Sequence, residues 1–73
     1  MNIKKKIGKR VREIRLGKKL TQEQLSNISG IDRTFVSHVE KGERNISVET
    51  IQSLTKGLGV TFKCFFCSDI FDE

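Results

Sequence analysis

This sequence predicts an all-α fold of five short helices, on three observations. Apolar residues return every three or four positions in one segment after another. The later segments open on residues that cap helices and close on glycines. The 73-residue chain also contains no proline to interrupt them. At this length the expectation is one compact domain, residues 1–73, with a modest core, because small domains bury a smaller share of their surface.

The elements follow in order. Ile3, Ile7, Val11 and Ile14 recur at spacings of four, four and three, one apolar stripe on a helix otherwise covered by Lys and Arg. Gly17 loosens its end and Leu20 resumes the core. Thr21 is a good N-cap for a second helix, 21–29, and Gln24 completes a capping box. Leu25 and Ile28 are expected to face inward, and Gly30 ends the segment where a sharp turn favours positive φ.

Asp32 caps a third helix, 32–41, with Lys41 in its last turn and Gly42 just beyond. At roughly 100° per residue, Phe35, Val36 and Val39 share one face. Arg33, Thr34, Ser37, His38 and Lys41 fall on the other, an outward row of hydrogen-bonding groups. Ser47 caps a fourth helix carrying Val48, Ile51, Leu54 and Leu58 at helical spacing. Thr55 and Gly57 are small enough for another element to approach, and Gly59 ends the helix. Thr61 opens a last short helix, 61–71, unusually apolar for this position.

Charge narrows the function. The formal net charge is +5, and residues 1–20 hold nine of the fourteen Lys and Arg against one acid, Glu13. A positive field on one part of a small protein favours a polyanion such as nucleic acid, and the plainer alternative is a solvated helix face. No apolar run approaches the roughly 20 residues of a membrane span, and no uninterrupted apolar region follows the basic start as in a signal peptide. A soluble, cytoplasmic protein is expected. No carboxylate pair, nucleophile–base set or phosphate loop suggests an enzyme, and no cofactor is implied.

The run "LTQEQLSNISGIDRTFVSHVEKGERNISVETIQSLTKGLGVTF" resembles the helix-turn-helix DNA-binding family of phage repressors and Cro proteins. The likeness covers roughly residues 7–66 and rests on "TQEQL", the turn "SGID", "VEKG" and "S..T...L...LGV" in register. "IDRTFVSHVEKGERNIS" is most similar to the controller proteins of restriction–modification systems. The resemblance implies a lambda-repressor-like fold and a transcriptional regulator of a bacterium or phage. Its partner is double-stranded DNA, its operator a near-palindrome, and RNA polymerase is a further candidate partner.

In such a motif one helix crosses the DNA backbone and the next, here 32–41, lies in the major groove. The resemblance assigns Arg33 and Thr34 to the first reading positions and Ser37 and His38 to later ones. Arg33 suits a bidentate contact to guanine, and Thr34 a thymine methyl or a phosphate. His38 could read a base, touch a phosphate or face solvent. Gln22 matches a glutamine that holds a phosphate and supports the reading helix, and Arg44 and Asn45 match a loop that grips the backbone. Arg15 and Glu40 match a semi-buried ion pair between the first and third helices. Phe35 replaces a common tyrosine, and Ser26 a usual alanine.

The tail raises two further points. Phe62, Phe65, Phe66, Ile70 and Phe71 exceed what one small domain buries, and family members form homodimers at this end. Phe62, Phe65, Phe66 and Ile70 are therefore expected to divide between core and dimer seam. "CFFC", Cys64 to Cys67, has the spacing of a redox site or half a zinc site. With no second pair and one distant histidine, no metal is expected, and buried or partly buried reduced thiols are the simpler reading. An antitoxin-like protein-interaction module on the same fold is the alternative function.

Overall fold

The computed structural model describes residues 2–72. Its helices are α1 (Ile3–Gly17), α2 (Gln22–Ser29), α3 (Arg33–Glu40), α4 (Val48–Leu58) and α5 (Phe62–Phe66), with a single 3-10 turn at Asp69–Phe71. Every helix has a side-chain N-cap. Asn2, Thr21, Asp32, Ser47 and Thr61 accept from Lys5, Gln24, Thr34, Thr50 and Cys64 backbone N–H groups. The Thr21–Gln24 box is reciprocal, so two otherwise orphaned donors are satisfied at once.

The core lies where α1, α3, α4 and α5 converge around Leu25 of α2. Val11, Leu25, Val36, Leu54 and Phe65 are wholly enclosed, with Ile7, Val39, Ile51 and Leu58 around them. Two glycines set how closely the helices meet. A Cβ on Gly8 of α1 would strike the Val39 carbonyl oxygen of α3, so those two backbones touch directly. A Cβ on Gly57 of α4 would come within 2.9 Å of Ser29 Cβ on α2.

Several apolar residues are not where periodicity alone places them. Ile28 is 59% exposed. The covered face of α2 runs through Gln22, Leu25, Ser26 and Ser29, and its centre leaves Ile28 roughly 110° to one side. Ile3 and Val48 are also exposed. Each is the first residue of its helix, one turn beyond the core. The tail is not one helix: α5 stops at Phe66, Cys67 leaves helical geometry, and Ser68 caps the separate 3-10 turn.

The two glycines of α1 should respond oppositely to a methyl group. Gly8→Ala should destabilise by about 3 kcal/mol, because the obstruction is backbone that cannot rotate away. Gly17→Ala, with open space around it, should gain about 0.5–1 kcal/mol. Urea unfolding of both variants checks this, and equal losses would mean that the α1–α3 contact is not close.

Candidate nucleic-acid interface

The α2–α3 unit is shaped by its turn. Gly30 adopts φ 76°, and its N–H donates to the Ser26 carbonyl. Ser26, where the resemblance leads one to expect alanine, donates its hydroxyl to the Ile31 carbonyl at 2.5 Å. Asp32 then bonds the Thr34 N–H at 3.0 Å and starts α3.

Three segments hold α3 at its other end. Arg15 of α1 donates Nε to Glu40 Oε2 at 2.7 Å and Nη2 to Glu40 Oε1 at 2.9 Å. Gln22 Nε2 donates to the same Oε1 at 3.1 Å. Arg15 Nη1 donates to the Leu20 carbonyl at 2.8 Å. Lys19, in left-handed backbone at φ 59°, turns the chain so that this carbonyl is presented. The two charged side chains are 9% and 4% exposed. The Glu40 hydrogen bond raises the Arg15 pKa, burial opposes it, and Glu40's charge adds to the rise. A raised basic group stabilises the fold below its ordinary pKa and loses that effect only above it, so Arg15 is charged throughout the neutral range.

With its inner side fixed by Val36 and Val39, α3 turns its polar side outward. Arg33 and Thr34 are exposed, and Ser37 and His38 half-buried. Arg44 and Asn45 are exposed in the loop after α3. The Arg44 guanidinium lies 5.5 Å from the centre of the Phe35 ring, so the loop is tied back to α3. Beside α3 a polar depression of about 260 Å³ is lined by Arg12, Arg15, Gln22, Ser37, Glu40 and Lys41. Its floor is the satisfied ion pair, and Arg12 and Lys41 bring two exposed cations to its rim. Sequence reasoning did not single out Arg12, because nothing in the local pattern separates it from the other basic residues of α1.

At the tail the aromatics divide. Phe65, one of the four residues expected to divide between core and dimer seam, belongs to the core and not to a seam: it is wholly enclosed by its own chain. Its ring packs edge-on against Phe66 at 5.0 Å and tilted against Phe71 at 6.2 Å. Phe62 is 38% exposed, and Phe66 and Ile70 are half-buried. Phe62 shares a shallow depression with Val48, Glu49 and Gln52. Arg10, also missed in the sequence, clamps α5 to α1: Nε donates to the Phe65 carbonyl at 2.7 Å and Nη2 to the Cys64 carbonyl at 2.8 Å. Among the described residues, no group of three or more His, Cys, Asp and Glu side chains could hold a metal ion, and no helix is long and apolar enough to cross a membrane.

Removing one partner of a buried, hydrogen-bonded pair strands the other charge. Arg15→Ala should therefore cost about 3–5 kcal/mol in urea unfolding. A loss below about 1 kcal/mol would be the signature of an exposed pair.

Comparison with known proteins places this geometry. The helix-turn-helix family model matches residues 11–63. Control protein C.BamHI of Bacillus amyloliquefaciens is 42% identical over 60 residues, 81% of this chain and 74% of its own. Control protein C.MunI of a Mycoplasma species is 36% identical over 99% of this chain and 97% of its own. Among solved structures, the restriction–modification controller protein C.Esp1396I, a tetramer on its natural 35 base-pair operator, superposes with a TM-score of 0.87. That match has 35% identity and covers 90% of this chain and 87% of the other. The chain belongs to the helix-turn-helix family of transcription regulators, which are not enzymes, and within it to the restriction–modification controller proteins.

Proposed function

We propose that this protein is a sequence-specific regulator of transcription that binds double-stranded DNA as a homodimer on a near-palindromic operator. The observation that carries this reading is α3 itself. It is pinned on its inner side by Val36, Val39 and the Arg15–Glu40 pair, and it presents a polar face outward. A helix sent into the major groove must be polar where it meets base edges and apolar only where it docks on its own domain. The operator complex of the structural neighbour supports the same reading.

In this account Arg33 and Thr34, from the first turn of α3, reach base edges, with Ser37 and His38 further along the helix. Arg44 and Asn45 hold the backbone, Arg44 steadied by Phe35. Gln22 uses one amide hydrogen on Glu40 and has another for a phosphate oxygen. The depression rimmed by Arg12 and Lys41 suits that phosphate. Such contacts set register, and base contacts set sequence.

Dimerisation is assigned to the tail. Phe62, Phe66 and Ile70 remain available there, joined by the exposed Val48, while Phe65 stays in the core. A two-fold pair separates its recognition helices by about one DNA turn, near 34 Å. The protomer measures 32 × 22 × 21 Å, which suits that spacing. Sedimentation at micromolar concentration should show a dimer, and Phe62→Glu should shift it to monomer. A wild-type monomer under those conditions would remove the dimer from the account.

Arg33 and Arg44 separate the two kinds of contact. Arg33→Ala should cost about 1–3 kcal/mol per half-site on the preferred operator and less on scrambled DNA. Arg44→Ala should weaken both alike and lower the slope of log affinity against log salt by about one unit per lost phosphate contact. Titrations at several salt concentrations distinguish them. If Arg33→Ala moves only the salt slope and leaves base preference intact, α3 does not read the sequence as proposed.

A further inference from the structure

We infer that Cys64 and Cys67 form a dithiol site that closes reversibly into an intrachain disulfide, with a low-molecular-weight disulfide as its oxidant. The packing role expected of these thiols is not the one they have. Both are free and exposed. Phe65, between them in sequence, takes the inward position and is wholly buried. The thiols are left together on the open side of α5, because residues three apart on a helical turn lie on one face.

Their backbone geometry favours closure. The Cys67 N–H donates to the Cys64 carbonyl at 3.2 Å, which places the two residues one tight turn apart. Helical neighbours at this spacing have Cβ atoms roughly 5–6 Å apart, and a disulfide needs roughly 3.5–4.5 Å. Cys67 is the residue free to move that distance: it is the C-cap of α5, and with ψ 77° the chain beyond it is no longer helical. Cys64 is the fixed partner, because Arg10 holds its carbonyl and that of Phe65.

The exchange balances without a metal. One cysteine thiolate attacks a sulfur of the small disulfide and releases one small thiolate. The second cysteine thiolate attacks the protein sulfur of that mixed disulfide and releases the other. The two protein thiols are oxidised, the small disulfide is reduced to two thiols, and the two cysteine protons pass to the two thiolates.

Closure reaches the tail. Drawing Cys67 toward Cys64 pulls on Ser68 and the 3-10 turn, whose Phe71 ring lies 5.0 Å from Phe66. Phe66 and Ile70 belong to the surface assigned above to dimerisation, so the bridge should weaken self-association. This consequence rests on the dimer reading, whereas the bridge itself does not.

The full chain is incubated with millimolar oxidised glutathione and then alkylated with iodoacetamide. The expected product is a single chain about 2 Da lighter with no alkylated thiol, restored by dithiothreitol. In sedimentation the closed form should need at least tenfold higher concentration to dimerise. Cys64→Ser and Cys67→Ser should each abolish both effects while self-associating like the reduced protein. Thiols that stay alkylatable, mixed disulfides that persist, or a bridge between two chains would each overturn the site. A closed form that dimerises like the reduced one would overturn its coupling to assembly. If the reduced chain is itself monomeric, the dimer reading fails, and mass and alkylation still decide the bridge.

Discussion

Arg15 and Glu40 stand twenty-five residues apart in the chain, and their side chains meet with almost no water around them. Removing two charges from water is expensive, and the cost is recovered only when geometry is good and every lone pair and hydrogen is used. Here the Glu40 carboxylate receives two hydrogens from Arg15 and one from Gln22, and Arg15 spends another on the Leu20 carbonyl. One cluster thus joins α1, the α1–α2 turn, the first turn of α2 and the last turn of α3. The Gly8–Val39 backbone contact adds a second restraint between α1 and α3. Between them these contacts fix the position and rotation of α3, and with them what its outer face presents.

The rest of the arrangement depends on that rotation. Were α3 free to roll, the half-buried Ser37 and His38 could exchange places with Val36 or Val39. Held as it is, α3 sends Arg33 and Thr34 outward at one end and presents Ser37 to the cation-rimmed depression at the other. The charge distribution follows the same logic. The acid of Glu40 is spent within the protein, whereas Arg12, Lys41 and Arg44 keep exposed positive charge around the helix. Arg10 plays a comparable part at the far side, where it holds α5 to α1 through two carbonyls.

Much of this was legible in the residues. The caps at Thr21, Asp32, Ser47 and Thr61 mark helix starts because their side chains satisfy local N–H groups, an interaction contained within four residues. The polar and apolar halves of α3 were legible from three apolar positions that define one phase. Ile28 was misplaced because two apolar residues, Leu25 and Ile28, do not define a phase, and the small Ser26 and Ser29 carry the buried face. The tail gives no sign of its break, because "TFKCFFCSDIF" holds no glycine or proline to mark the turn at Cys67. Arg10 and Arg12 were invisible for a different reason. Their roles depend on residues dozens of positions away, and a basic helix gives no local sign of which cation finds which partner.

The central claim is that the fixed outer face of α3, repeated by a two-fold partner, reads a DNA sequence. Selection of the purified protein on a pool of random duplex DNA tests it most directly. The account predicts enrichment of a near-palindrome whose half-site centres lie about one helical turn apart, roughly 34 Å. Recovery of sequences with no shared motif, at an affinity set only by salt, would contradict it.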